Sequence, residues 1–308
     1  MTAPSAPTTT LVAQPGPRGG RLAYYRRAAD AAYWDELWES RPVDYRRART
    51  GHLPPHLDRA VRRRLRPGGR VLEAGCGPGE FTVALAARGF DAEAVDWAPR
   101  TVERLRVAAP EIRAWQGDVR RLDVPDGRYD AVYSPGVCEH FEEGPEEVLR
   151  ETLRVLRPGG TALVSTPCFS PLLRALLRGT RGDEARGGQD RAPAGEFYQY
   201  AFTPRGLGAV LRDVGFVRVR AHPYGAFATV WEYTAAGRAL SARVPRRRLL
   251  PLEAGLDLTG AAWLSGRACL WTARRPVGPP VPGQRPRAPE AQPPTVREQH
   301  VSREDRSV

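Results

Sequence analysis

Lysine is missing altogether. All 47 basic residues of this 308-residue chain are arginine, set against 35 acidic ones, for a formal charge of +12. Complete replacement of lysine reads as a codon-composition bias, as in a GC-rich bacterial genome, rather than as adaptation to a polyanion. A positive potential still steers anionic partners. Yet the runs Arg62-Arg63-Arg64 and Arg246-Arg247-Arg248 carry no interleaved aromatics. They are read as solvated helix faces or loops, and no nucleic-acid partner is expected. Cysteine is scarce: Cys76, Cys138, Cys168 and Cys269 show no CxxC or paired spacing. That pattern argues against a zinc site and a disulfide framework, so no metal is expected. No apolar run approaches the ~18 residues of a spanning helix. The N-terminal segment lacks the charged-then-apolar order of a secretion leader. No membrane span is expected, and the cytoplasm is the expected location.

What is present is an ordinary apolar fraction of 41% with 30 prolines placed unevenly. Prolines crowd the first 20 residues and the stretch from Pro276 onward, so residues 1–20 and 276–308 are read as disordered ends. Between them lie about 250 residues, enough for one α/β domain with embellishments. The aromatic-rich segment from Leu22 to Ser40 reads as a helix, with Trp34 and Trp38 sharing one side. With a second helix from Pro55 to Leu65, it makes residues 21–66 an N-terminal helical segment. Beyond Pro67-Gly68-Gly69, short apolar runs alternate with helical stretches. Strands are read at 70–74, 90–95, 112–115, 130–133, 161–165, 216–220 and 268–273. Helices are read at 80–88, 100–109, 145–156 and 203–214, the last capped by Thr203 with Pro204 in its first turn. This rhythm predicts a Rossmann-like, mostly parallel seven-stranded sheet with helices on both faces over residues 67–275. A polar, glycine-rich insert at 172–196 interrupts it and is read as a loop or lid.

The chemistry centres on one turn. A strand ending in Glu73 runs into Gly75-Cys76-Gly77-Pro78-Gly79 and then a helix. Glycines let a ligand approach the main chain closely, and the helix start offers free N–H groups. Ligands of open parallel sheets bind at the carboxyl ends of strands, which is where this turn falls. A dinucleotide fingerprint requires a third small residue, and Glu80 stands there instead. No GK[ST] follows, which excludes a phosphate loop. An acidic Glu73 suits a ligand bearing an ammonium and a sulfonium.

From Val71 to Gly79 the segment VLEAGCGPG resembles the glycine motif of class I S-adenosylmethionine-dependent methyltransferases. The likeness is to the small-molecule group that includes the ubiquinone/menaquinone methyltransferases, and it extends over roughly Tyr33 to Ala273. The resemblance implies S-adenosylmethionine as cofactor, held by Glu73, Gly75, Cys76, Gly77 and Gly79. It implies that Asp96 binds the ribose and that Trp97 packs on the adenine. Helix capping is the competing role for Asp96. Gln116-Gly117-Asp118-Val119 resembles the family's adenine-binding segment, which implicates Asp118 and Val119. The run from Tyr133 to Phe141 resembles the segment bordering cofactor and substrate, which implicates Ser134. The stretch from Leu153 to Pro167 resembles the family's closing helix–turn–strand. Residues 197–216 resemble its substrate-side region.

Methyl transfer is an in-line displacement that needs no metal, and orientation contributes ~7–11 kcal/mol. An acceptor hydroxyl or acidic carbon also requires a base. His140 is the first candidate, since it titrates near neutrality; a structural hydrogen bond to backbone is its alternative. Glu139, Tyr198, Tyr200, His222 and Tyr224 are candidates for the acceptor pocket. Tyr24, Tyr25, Tyr33 and Trp34 are candidates for a lid attracting the sulfonium by cation–π contact. The expected function is methyl transfer to an O, N or C atom of a small molecule. Methylation of RNA or protein, or a binding protein of the same fold, are the alternatives.

Overall fold

The computed structural model describes residues 10–14, 20–41, 43–184, 195–234, 236–237, 239, 243–244 and 249–278. Arg246-Arg247-Arg248, the middle of the insert and all but the start of the C-terminal segment from 276 lie outside these residues. Seven strands form the central sheet: β3 (Arg70–Ala74), β4 (Asp91–Asp96), β5 (Arg113–Gln116), β6 (Tyr129–Pro135), β7 (Leu156–Pro167), β9 (Val217–Tyr224) and β10 (Ala268–Arg274). Their order is β5-β4-β3-β6-β7-β10-β9. The first five run parallel, and β10 lies antiparallel to both β7 and β9. This is the mostly parallel α/β sheet that the strand–helix rhythm predicts. Every strand read from the sequence between 70 and 273 is present, with shifted ends.

Parallel strands buried on both faces are apolar throughout their middles. Val71 and Leu72 of β3, Ala131 and Val132 of β6, and Ala162, Leu163 and Val164 of β7 are buried accordingly. Helices α4 (Glu80–Ala87), α5 (Pro99–Ala108), α6 (Glu146–Val155) and α8 (Pro204–Val214) provide the crossovers. Thr203 caps α8 by accepting from the Gly206 amide at 3.0 Å, and the helix stops at Gly215, whose φ is +118°.

The N-terminal region departs from expectation. Residues 21–26 are not helical. They form strand β2 (Arg21–Arg26), which pairs with β1 (Thr10–Gln14) and with β8 (Glu196–Phe202) in a separate antiparallel sheet. Thr10–Gln14, read as part of a disordered end, is therefore a strand. Leu22 and Ala23 are good helix formers, but both are fully buried by this pairing, so tertiary contact overrides local propensity. Helix α1 (Ala31–Glu39) begins only after Asp30, which caps it by accepting from the Tyr33 amide at 2.7 Å. Helices α2 (Tyr45–Ala48) and α3 (Pro55–Arg64) follow. The insert opens with α7 (Pro171–Glu184) and ends in β8, so both its flanks are ordered elements. Between β9 and β10 lie α9 (Ala226–Tyr233), α10 (Leu250–Leu258) and α11 (Ala262–Ser265). Among the described residues, no helix is long and apolar enough to cross a membrane, and no cluster of metal-ligating side chains occurs.

Candidate functional site

A cleft lies at the carboxyl ends of β3, β4 and β6. It is lined by Gly75, Gly77, Asp96, Trp97, Gly117, Asp118, Val119, the segment 135–137, His140 and Phe141, and closed by Trp34 and Trp38 of α1.

The glycine turn shapes its floor. Gly75, Gly77 and Gly79 all have positive φ, at +77°, +51° and +73°. The space is as restrictive as the angles: a Cβ on Gly75 would stand 2.2 Å from Val137 Cγ2, and one on Gly77 would stand 2.8 Å from Trp38. Asp96 ties the turn to β4. Its Oδ2 accepts from the Gly77 amide at 2.7 Å and its Oδ1 from the Ala98 amide at 3.0 Å. Asp96 does not cap α5, since its bond to the Ala98 amide falls ahead of the first helical turn; it lines the cleft. Burial raises its carboxyl above the ordinary carboxylate value.

Glu73 sits beneath this turn rather than in the cleft. It is buried and accepts from the amide of Thr82 at 2.7 Å and from the Thr82 hydroxyl. Its other oxygen has no partner, and burial pushes the carboxyl up to about 8. Cys76 is buried with its thiol on the Gly77 carbonyl, and Gly79 begins α4 against Leu105. Ser134 is buried with an unpartnered hydroxyl and does not line the cleft. Trp97, Asp118 and Val119 do line it. Partial burial pushes the Asp118 carboxyl up, but its bonds to Arg120 outweigh that and hold it below its usual value. Trp97 tilts against Phe141 with ring centres 6.4 Å apart.

The aromatic wall comes from α1. Trp34 and Trp38 stack at 6.2 Å. The helix is fixed in place by Asp35, which is buried and accepts from the Thr101 amide and hydroxyl, both at 2.7 Å, and from the Arg100 amide at 3.3 Å. Those amides belong to the first turn of α5, whose own cap residue, Ala98, has no side-chain acceptor. Asp35 therefore caps α5 from another helix. Burial pushes its carboxyl up, and the Thr101 and Arg100 bonds pull it below the usual value.

His140 ends a short 3-10 turn, Cys138–His140, and its ring stands edge-on to Trp34 at 4.9 Å. Its Nδ1 lies 2.7 Å from the Tyr198 carbonyl oxygen, which can only accept, so Nδ1 carries the proton. Nε2 is then the basic nitrogen, and it has no hydrogen-bond partner among the described residues. Burial, with the Arg26 charge adding to it, pulls the imidazole down to about 4.

The acceptor-pocket candidates scatter. Glu139 is buried, with one oxygen unpartnered and its carboxyl pushed by burial up to about 8. Tyr198 meets the His140 ring at 5.1 Å, one layer behind the cleft. Tyr200 is buried and donates to the Glu142 carbonyl. Tyr224 stacks on His56 at 3.7 Å and shares a hydrogen bond with Ser165, and His222 stands by Arg64 and Thr272. None of these five lines the cleft. Of the lid candidates only Trp34 lines it; Tyr24 and Tyr25 lie on β2, bonded to Tyr233 and packed on Phe197. Trp38 is a cleft residue for which the sequence reading proposed no role, and Gly117, Val137 and Phe141 line the cleft from segments whose resemblance implied one without singling them out. The four-residue spacing of Trp34 and Trp38 was their one visible signal for α1.

Similar proteins agree with this geometry. One is the ubiquinone biosynthesis O-methyltransferase of Xanthomonas campestris pv. campestris, 36% identical over 129 residues, covering 40% of this chain and 53% of that protein. Another is an uncharacterized methyltransferase of Mycobacterium bovis, 34% identical over 116 residues, covering 38% and 46%. The chain spans about half the length of the curated relatives it matches. A crystal structure of a SAM-dependent methyltransferase from Archaeoglobus fulgidus shares the fold, with a TM-score of 0.50 at 15% identity over 79% of this chain and 99% of that one. A family model described as a methyltransferase domain matches residues 45–221, more than half of the sequence, and the chain belongs to that family.

Proposed function

We propose that this protein transfers a methyl group from S-adenosylmethionine to an O, N or C atom of a small molecule bound beside His140. The observation that carries the reading is Asp96, a buried carboxylate that both holds the glycine turn and faces the cleft. The lining chemistry suits this donor. Asp96 and Asp118 contribute negative charge, three tryptophans contribute π faces, and no arginine is among the lining residues. A pyrophosphate would meet two carboxylates there, whereas a sulfonium meets aromatic faces that attract cations. When bound, S-adenosylmethionine supplies a methyl group already activated by its sulfonium.

The protein's own residues then do the rest. Asp96 is placed to hold ribose hydroxyls, Trp97 and Val119 to enclose the adenine, and Trp34 and Trp38 to exclude water from above. An acceptor held beside His140 would take the methyl group with its own electron pair, and the donor's sulfur would keep the electrons of the broken bond. His140 Nε2 accepts the acceptor's hydrogen bond and takes its proton as positive charge develops. Burial brings its value well below the near-neutral one expected from the sequence; the imidazole stays neutral with its Nε2 lone pair free, and its pull on the proton is correspondingly weaker.

Calorimetric titration with S-adenosylmethionine tests the reading. The wild type binds, and Asp96→Ala weakens binding about tenfold to a hundredfold through loss of a charged acceptor. Gly75→Arg abolishes it, because the side chain must enter Val137. Unchanged affinity in both variants overturns the assignment.

A further inference from the structure

The β9 edge of the central sheet gathers arginines that have no counterion. Arg220 and His222 stand two apart on β9, so they face the same side of the sheet. Arg64, the last residue of α3, reaches that side, and its Nη2 donates to His222 Nε2 at 3.2 Å. A guanidinium can only donate, so Nε2 is the acceptor and the imidazole is neutral. Partial burial holds the His222 ring below its ordinary value, and Arg64, Arg220, Arg63 and Arg59 add to the effect. Burial lowers the Arg64 guanidinium too, and Arg220, Arg274 and Arg63 lower it further. Five guanidinium groups thus crowd one corner of the molecule. None of the five pairs with a carboxylate among the described residues. Arginines close by do: Arg62 binds Asp58 at 2.9 Å, and Arg88 binds the same carboxylate at 2.6 Å.

Like charges so placed repel one another. The carboxyl end of α3 attracts cations and accounts for Arg63 and Arg64. Arg220 and Arg274 lie on strands, which offer no such dipole. The backbone at this edge is strained as well. Arg218 has a φ of +52° and, glycines aside, is the one described residue with a positive value. It falls at the register shift between β9 and β10, opposite the stretch from Thr272 to Arg274. Bulges of this kind re-aim side chains, and strain retained in a fold points to a task. Arg63 and Arg220 are exposed, and Arg64 and Arg274 half-buried, so the corner is open to a ligand.

We propose that this edge binds a phosphate-bearing anion, either a free phosphorylated compound or the phosphate headgroup of a lipid, through Arg64, Arg220 and Arg274. A phosphomonoester or a pyrophosphate carries more than one negative charge, as several cations require, and guanidinium forks match its oxygens. A single carboxylate would leave most of the positive charge uncompensated. Neither α3 nor β9 presents an exposed Phe, Tyr or Trp, so the bases of a nucleic acid strand would have no ring to stack on. The site stands apart from the cleft, since β7 and β10 lie between β6 and β9. Its occupancy is therefore independent of the donor.

The test uses full-length protein at physiological ionic strength. Pyrophosphate is titrated in a calorimeter, and vesicles of phosphatidic acid are tested by co-sedimentation, with phosphatidylcholine vesicles as the zwitterionic control. The expected result is that pyrophosphate or the phosphatidic acid vesicles bind. Pyrophosphate binding identifies a free ligand, and binding of the vesicles alone identifies a membrane surface. Arg220→Gln and Arg274→Gln each weaken that binding by about tenfold or more. Arg62→Gln, which removes a guanidinium already paired with Asp58, binds like the wild type, and all three variants keep wild-type affinity for S-adenosylmethionine. The proposal is overturned if the wild type binds neither probe, or if Arg220→Gln or Arg274→Gln binds as tightly as Arg62→Gln. It is also overturned if a mixed-sequence RNA oligonucleotide binds through the same arginines more tightly than either phosphate probe, which would make the edge a nucleic-acid surface.

Discussion

On the β3–β4 side of the cleft, position is set by main-chain amides converging on buried carboxylates. Asp96 gathers Gly77 and Ala98, Asp35 gathers Arg100 and Thr101, and Glu73 gathers Thr82. On the side of β2 and β8, position is set by rings: Trp34 on Trp38, Tyr33 on Tyr198, and His140 between Trp34 and Tyr198. Amide-to-carboxylate contacts are directional and fix a geometry to tenths of an ångström. Ring contacts hold through packed area and offset or edge-on geometry, with no single directed bond. One side is thus fixed by directed bonds and the other by packing.

Replacing His140 strikes the contrast hardest. His140→Ala should lower turnover by about a hundredfold or more if Nε2 takes the proton, while donor affinity by calorimetry stays near wild type. Loss of only a fewfold would leave the imidazole a wall of the pocket. Glu139→Gln probes the buried carboxyl behind it. The folded-state value is raised from 4.5 to about 8, so the native protein keeps a proton that the unfolded chain releases. Stability is therefore lost as pH rises through that window. The melting-temperature difference between Glu139→Gln and wild type should grow in favour of the variant from pH 4.5 to 8, and a constant difference would show that Glu139 is charged in the fold. Asp35→Ala removes a cap worth ~1 kcal/mol, lowering the melting temperature by a few degrees. Donor binding should weaken severalfold as α1 loosens. If stability falls with donor affinity intact, the tryptophans are packing rather than a lid. Tyr224→Phe should do least: it removes the Ser165 contact, with a stability change of ~1 kcal/mol and unaltered donor affinity. Any marked change in binding would extend the cleft towards β9.

The parallel sheet was legible because its signals are local. Each strand is a short apolar run, each helix follows within a few residues, and the glycine turn joins two such pieces in unbroken sequence. Asp96, Trp97, Asp118 and Val119, which the family resemblance implied, line the cleft from the ends of β4 and β5. Strand β2 was not legible, because what makes Leu22 and Ala23 a strand is β8, far along the chain. Asp35 looked like one more acid on a helix, and only the docking of α1 on α5 gives it a task. The acceptor-pocket candidates do not line the cleft, because nearness in sequence is not nearness in space. His222 and Tyr224 follow the family-like region closely in sequence, yet β10 separates β9 from the rest of the sheet.

Strand β2 precedes the parallel core in the sequence, yet its partner β8 follows all five parallel strands. Closing so long a loop is slow. The core, with its glycine turn, therefore has every opportunity to form before that pairing. Strand β2 then docks late, onto β8, while the place of α1 over the cleft is set separately by Asp35 on the first turn of α5.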